Sequence, residues 1–236
     1  MQESSADRAE IARFDRLAGQ SWDPKGPMRP LHQMNALRVR WIGARLRQHF
    51  PRAGSVSLLD VGCGAGLASE ALARQGFSVL GLDPSAGMIA AAEAHAQGSG
   101  LPLCYRVGLP GQLLEEGARF AAVTALEVIE HVSEPARFLV TLASLLAPGG
   151  VIFLSTINRT LKSLLIAKLG AEYVLRLLPA GTHDWRRFIS PAELEPLLGG
   201  AGLRLADIAG MTFDPLLRTW RESRDLSVNY IVMAGA

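Results

Sequence analysis

The chain is poor in cysteine, in lysine and in net charge. Its 236 residues include two cysteines, Cys63 and Cys104. Two are too few for a disulfide framework and suit a reducing compartment. Lysine occurs only as Lys25, Lys162 and Lys168, so the basic residues are mostly arginine. The formal net charge is +2, which removes the electrostatic case for nucleic acid as the main partner. There is no internal repeat and no low-complexity tract. Met1 to Glu10 is polar and acidic, unlike a secretory leader. No apolar run reaches membrane-spanning length without charges, so the expected location is cytoplasmic. What remains is a chain 49% hydrophobic and 19% charged, the balance of a folded globular domain long enough for a full core.

The most informative stretch is Leu59-Asp60-Val61-Gly62-Cys63-Gly64-Ala65-Gly66, with Gly81-Leu82-Asp83 about one βαβ step later. Ser57–Val61 reads as a short apolar strand. The three glycines permit a tight turn and close backbone approach to a ligand. A helix starts directly after them, so its free N–H groups face the same ligand. A dinucleotide fingerprint wants G-x-G-x-x-G; Gly62, Gly64 and Gly66 make G-x-G-x-G. Asp60 in front of them would repel a pyrophosphate but suits a cationic ligand with an ammonium group, such as S-adenosylmethionine. Asp83 ends the next strand, where a carboxylate can accept both hydroxyls of a ribose. Cys63, inside a Gly-Cys-Gly turn, reads as a small packing residue.

Strands and helices alternate along the chain. Residues 1–50 read as an amphipathic helical extension that could cover the cofactor, and 51–236 as the main domain. Strands are expected at Ser57–Val61, Ser78–Asp83, Leu103–Val107, Ala121–Leu126 and Val151–Ile157. Leu203–Ile208 and Val228–Met233 close the sheet. Helices are expected at Leu67–Gln75, at Ser85–Gln97 with Ser85 as cap, at Pro135–Leu146 stopped by Pro148-Gly149-Gly150, at 161–178 and at Pro191–Leu198. The alternation implies an α/β, Rossmann-like, doubly wound sheet of seven mostly parallel strands with an antiparallel last strand, and ligands at the strands' C-terminal ends.

The glycine motif with Asp83 resembles the class I S-adenosylmethionine-dependent methyltransferases. Further segments resemble the ubiquinone-biosynthesis O-methyltransferase family: Pro30-Leu31-His32 with Asn35-Ala36-Leu37-Arg38, and Glu127-Val128-Ile129-Glu130-His131-Val132. Ser155-Thr156-Ile157-Asn158-Arg159, Gly170-Ala171-Glu172-Tyr173 and Gly181-Thr182-His183-Asp184 extend the match. The resemblance spans roughly residues 11 to 233. It implies methylation of catechol hydroxyls on polyprenylated rings at two steps of the ubiquinone pathway. Two positions depart from the family pattern. Phe120-Ala121-Ala122 lacks the acid common after this Phe. Arg106 to Leu114 holds no Asp or Glu to bind an adenine amino group.

Glu127, Glu130 and His131 follow the fourth strand at the cleft edge of the sheet. Spaced i, i+3, i+4, they converge if the chain turns helically there. Two carboxylates and an imidazole suit a divalent cation such as magnesium, which would chelate a catechol and lower its pKa; the resemblance also implies metal binding at these positions. Without a metal, His131 would act as a plain general base. The family pattern assigns Arg38 to the cofactor carboxylate, which its fork can hold bidentately. Leu126, at the end of the fourth strand, is expected to wall the adenosine. His183 and Asp184 could border the acceptor pocket, or form a hydrogen-bonded loop pair.

In the segment 161–178, Lys168, Glu172 and Arg176 share one narrow face and nearly all the rest is apolar. Its apolar stripe is far wider than a core-facing helix needs. It is expected either to be buried within the protein or to cap a polyprenyl pocket at the inner face of the cytoplasmic membrane, where other ubiquinone-biosynthesis proteins could also meet it. Two other functions stay open at this point. One is O-methylation of another small hydrophobic catechol or phenol. The other is a non-catalytic S-adenosylmethionine-binding subunit of a membrane-associated complex.

Overall fold

The computed structural model describes residue 11 and residues 15–26, 28–51, 55–163, 185–214, 216–217 and 219–236. In chain order the elements are α1 (Arg29–His49), β1 (Ser57–Val61), α2 (Leu67–Ala73), β2 (Ser78–Asp83) and α3 (Ala86–Ala96). Then come β3 (Leu103–Val107), α4 (Pro110–Glu115), β4 (Phe120–Leu126), α5 (Pro135–Ser144) and β5 (Leu146–Ile157). The chain closes with α6 (Pro191–Gly200), β6 (Arg204–Asp214), β7 (Thr219–Ser223) and β8 (Asn229–Gly235).

The sheet order is β3-β2-β1-β4-β5-β8-β6-β7. The first five strands in this order run parallel; β8 is antiparallel to β5 and to β6, and β6 is antiparallel to β7. The strand order reverses between β1 and β4, so the C-terminal ends of these two strands open a crevice for a ligand.

Both faces of the sheet are covered, and the strands are apolar on both sides for that reason. Leu59, Val123, Ile152 and Leu154 point to a core shared with Leu113 of α4, Phe138, Leu139 and Leu142 of α5, and Leu194 and Leu198 of α6. Their neighbours Leu58, Ala122, Val151 and Phe153 point the other way, onto Leu37, Trp41, Ile42 and Leu46 of α1 and Leu72 of α2. The helix of the N-terminal extension therefore contributes a full stripe to the core of the domain. A third, smaller cluster joins Met28 and Ala65 to Met88 of α3, with Leu17, Trp22 and Leu31 packed against it.

Local signals behave as their chemistry predicts. Ser85 caps α3, its side chain accepting from the Met88 amide at 3.0 Å. Ser190 and Glu193 form a capping box at the start of α6. Three features differ from the sequence reading, the first being the short helix α4, which it did not include. The sheet has eight strands; the additional one, β7, is an edge strand with mostly exposed side chains. Pro148-Gly149-Gly150 lies within β5, and its pairing with β4 shifts register between Phe120 and Ala122 to accommodate it. Of the apolar helix expected at 161–178, Leu161 to Ser163 are helical and the rest lies outside the described residues, as do His183 and Asp184.

Candidate active site

The glycine turn is built backbone first. Gly62, Gly64 and Gly66 all have positive φ, at 67°, 53° and 85°. Only glycine adopts these angles without strain. A Cβ on Gly62 would lie 2.6 Å from Val128 Cγ2, and one on Gly66 would overlap the Tyr105 hydroxyl. A Cβ on Gly64 would meet nothing within 4 Å. Gly62 and Gly66 are thus fixed by packing, while Gly64 faces open space. The amides of Gly62 and Cys63 donate to the Leu82 carbonyl at 2.7 and 3.2 Å, tying the turn to β2. Burial pushes the Cys63 thiol well up, with Asp60 and Asp83 adding to the effect. That agrees with a packing role, since a reactive cysteine needs the opposite shift.

Asp83 spans the base of this turn. One carboxylate oxygen accepts from the Gly64 amide at 2.9 Å and the other from the Ser85 amide at 2.8 Å. Burial raises its pKa, and the two amides work against that rise. Four lone-pair positions on the carboxylate leave room for further donors.

Asp60, one residue before the end of β1, lies in the interior. Its oxygens accept from Ser69 Oγ at 2.5 Å and from Thr124 Oγ1 at 2.6 Å. Burial raises its pKa, and these two hydroxyls and the Arg38 charge oppose the rise. Arg38 comes from α1. Its guanidinium is buried and lies 3.5 Å from a Glu127 carboxylate oxygen, while Nε and Nη1 have no hydrogen-bond partner. Burial lowers its pKa; Glu127, then Asp60 and Glu130, oppose that. One turn earlier on the same helix face, Asn35 Nδ2 donates to the Leu67 carbonyl at 2.8 Å, and its Oδ1 is buried without a partner. A buried guanidinium and a buried amide oxygen with open valences are costly unless a ligand completes them.

After Leu126 the chain leaves β4 at Glu127, which has φ 57° and is the only non-glycine with positive φ among the described residues. This strained exit aims its side chain at the crevice. Ser155 holds it from β5: the Glu127 amide donates to the Ser155 carbonyl at 2.9 Å, and Ser155 Oγ donates to the Glu127 carboxylate at 2.8 Å. Ile129–His131 then form a single 3-10 turn. Glu130 is buried beneath it, accepting from Thr156 Oγ1 at 2.8 Å, and its other oxygen has no partner. Burial, reinforced by Glu127, pushes the Glu130 carboxyl up to about 8.

The structure therefore brings Arg38, Asp60, Glu127 and Glu130 together around one buried guanidinium, with Asp83 and the glycine turn alongside. It does not gather Glu127, Glu130 and His131 as a metal set. Among the described residues no group of three or more His, Cys, Asp or Glu side chains is placed to hold a metal ion. Glu127 is engaged by Ser155 and Arg38, and Glu130 is held inward by Thr156. No magnesium site is formed among the described residues as they stand.

The sequence gives no role to Ser69 or Thr124, and Asn35, Ser155 and Thr156 stand there only within family segments. A signal exists for three of them, since Thr124, Ser155 and Thr156 are hydroxyls inside otherwise apolar strands. A polar group buried there must have a partner.

The segment before α1 reaches the same turn. Trp22 Nε1 donates to the Ala65 carbonyl at 2.9 Å, and its ring stacks on His95 with centroids 3.3 Å apart. Asp15 accepts from the Gly87 amide at 3.1 Å and from Ser85 Oγ.

A methyltransferase-domain family model matches residues 24–208. The ubiquinone biosynthesis O-methyltransferase of Azorhizobium caulinodans is 45% identical, covering 98% of this chain and 94% of that protein. The protein of the same name from Rhodopseudomonas palustris is 46% identical over 98% of this chain and 93% of its own length. Among solved structures, the magnesium protoporphyrin IX methyltransferase of Synechocystis with bound SAH superposes with a TM-score of 0.68 at 24% identity, covering 96% of this chain and 94% of that one. The CcbJ methyltransferase of Streptomyces caelestis gives 0.65 at 18% identity, covering 95% and 98%. These two likenesses bear on the fold, a class I S-adenosylmethionine methyltransferase fold. Similarity this high across nearly the whole chain places the protein in the ubiquinone biosynthesis O-methyltransferase family.

Proposed function

We propose that this chain transfers the methyl group of S-adenosylmethionine to a phenolic hydroxyl of a polyprenylated catechol, at both O-methylation steps of ubiquinone synthesis. What carries the reading is the near-full-length similarity to relatives of that name, joined to a buried acidic crevice at the switch point of the sheet. The free Arg38 donors take the cofactor's carboxylate, and Asn35 Oδ1 takes its ammonium. Asp83 accepts the ribose hydroxyls, Gly64 lets the backbone approach them, and Leu126 walls the adenosine. The surrounding carboxylates make the crevice favour a sulfonium cation over an anion.

S-adenosylmethionine, when bound, supplies the reactive methyl carbon. The residues of the chain align the phenolic oxygen with it and exclude water. The oxygen's electron pair forms the new O–CH3 bond as the S–CH3 bond breaks, and the neutral thioether leaves. The hydroxyl proton goes to His131, which stands on the turn at the crevice edge, and from there to water. Glu127 keeps the local potential negative and so stabilises the imidazolium. No step is routed through magnesium, which would have to share Glu127 with Arg38 and Ser155. The apolar segment 161–178 is assigned to the prenyl tail and to the inner face of the cytoplasmic membrane.

Transfer of a labelled methyl group to a short-chain prenylated catechol tests the reading. Transfer to the prenylated catechol well above transfer to an unprenylated one supports it. Transfer only to other phenols would move the acceptor class. No turnover by protein that binds the cofactor would favour a non-catalytic subunit. Repeating the assay with magnesium and with EDTA measures whether Glu127 makes the exchange.

A further inference from the structure

Apart from Trp220 Nε1, the buried side-chain polar atoms without partners among the described residues form two groups. Asn35 Oδ1 and the Arg38 donors belong to α1, and the cofactor reading accounts for them. Glu130 Oε1 and Asn158 Oδ1 make up the second group, on the other face of the sheet. The alternation along β5 separates the two. Phe153 packs toward α1, and Leu154 toward α5 and α6. Ser155 follows the side of Phe153 and holds Glu127 beside Arg38, whereas Thr156 follows the side of Leu154 and holds Glu130. Asn158 continues the side of Thr156. Its amide donates to the Val228 carbonyl at 2.6 Å, which carries the pairing of β5 with β8 one residue past Ile157.

Asn158 is 8% exposed and follows the C-terminal end of β5, the edge at which such a sheet binds its ligands. Its side chain is held in one orientation. Nδ2 donates to the Leu226 carbonyl at 2.8 Å. A flipped amide would set Oδ1 against that carbonyl oxygen, so the hydrogen-bond network assigns the two ends. The backbone carbonyl of Asn158 accepts from Ser163 Oγ at 2.5 Å and from the Thr160 amide at 3.0 Å. Oδ1 alone is left over. Leu226 precedes β8 on one flank of β5, and β4 with the Ile129–His131 turn lies on the other. With Nδ2 drawn to the β8 flank, the free oxygen is left for the β4 flank. A buried amide oxygen held there without a partner is completed by a ligand that brings a donor.

A catechol brings one. One hydroxyl gives its oxygen to the methyl group, while its ring neighbour keeps its proton and can donate. We propose that Asn158 Oδ1 accepts a hydrogen bond from the ring hydroxyl adjacent to the one that is methylated, and so selects catechols over phenols with a single hydroxyl. The inference rests on the O-methylation reading in taking the acceptor to be a catechol. The selection follows from cost: a site built to bond a hydroxyl is left with an unpaired buried atom when that hydroxyl is missing. The same bond fixes the ring in its plane and so sets which oxygen faces the cofactor.

The test is calorimetric binding of two ligands to the full chain saturated with S-adenosylhomocysteine. One is a short-chain prenylated catechol, the other the prenylated phenol that lacks the second hydroxyl. Wild type is expected to bind the catechol at least about tenfold more tightly. Asn158→Leu, similar in size but without the oxygen, lowers catechol affinity to that of the phenol and leaves phenol and cofactor affinities unchanged. Equal affinity of wild type for the two ligands overturns the proposal. So does a catechol preference that survives in Asn158→Leu, or an equal loss for both ligands, the result expected of a residue that only anchors Leu226. The wild-type comparison needs no variant and judges the proposal where Asn158→Leu fails to fold. Binding is also read apart from turnover. A catechol held selectively through Asn158 that receives no methyl group would reject the transfer reading and leave this inference standing.

Discussion

At the scale of single residues, Arg38 carries the most consequence. It is the cation among Asp60, Glu127 and Glu130, and its Nε and Nη1 have no hydrogen-bond partner. Arg38→Met leaves three carboxylates facing each other in the interior. Loss of a buried counter-charge costs about 3 kcal/mol, so chemical denaturation is expected to show that drop, with cofactor affinity falling at least about tenfold in calorimetry. Glu130 supplies a pH signature. Its folded-state pKa stands at about 8 against the usual carboxylate range. Between those values the unfolded chain has lost the proton and the folded one keeps it. This contribution to stability is therefore complete at acid pH and is lost as pH rises toward 8, with a slope of at most about 1.4 kcal/mol per pH unit. Thermal melts of the ligand-free protein across this window should show the decline, and Glu130→Gln should flatten it. The sequence exposed Asp60 and Asp83 through their spacing around the glycines, Glu127 through its place after the fourth strand, and Arg38 only through the family resemblance. It hid Ser69 and Asn35, whose role depends on which helix packs beside which strand.

At the scale of elements, the glycine turn separates two kinds of requirement. Gly66 is held at φ 85° with the Tyr105 hydroxyl where a Cβ would go, whereas Gly64, at φ 53°, has open space. Gly66→Ala must displace Tyr105 and is expected to cost about 3 kcal/mol of stability. Gly64→Ala carries only the left-handed penalty, about 1 to 2 kcal/mol, but its methyl group occupies the side from which a ligand approaches. Denaturation and cofactor titration together should show Gly66→Ala failing first in folding and Gly64→Ala failing first in binding. Most elements were legible because buried parallel strands read as apolar runs. β7 was not, since Thr219–Ser223 is an edge strand with little to bury. Pro148-Gly149-Gly150 misled in the opposite sense. It reads as a stop, yet the register shift against β4 absorbs it inside β5.

At the scale of the whole molecule, the segment before α1 packs on the glycine turn and on the start of α3. Its grip is specific: the Trp22 indole donates to Ala65 inside the glycine turn and stacks on His95, which is itself bonded to Glu70 of α2 at 2.6 Å. Asp15 bonds the start of α3 just beyond Asp83. These contacts join the segment to the two helices whose N-termini flank the crevice, so opening it would loosen the turn that must enclose the ligand. Trp22→Ala removes both the stacking and the hydrogen bond. Cofactor binding is expected to weaken about tenfold, with the core melting transition little changed because Trp22 lies outside the two main hydrophobic clusters. Trp22→Phe keeps the stacking and loses only an N–H bond worth about 1 kcal/mol, so it should fall between the two. Limited proteolysis ahead of Met28 gives the structural counterpart. Saturating cofactor should slow cleavage of wild type and have little effect on Trp22→Ala. Equal protection in both would place the segment's contribution elsewhere than in the Trp22 contact.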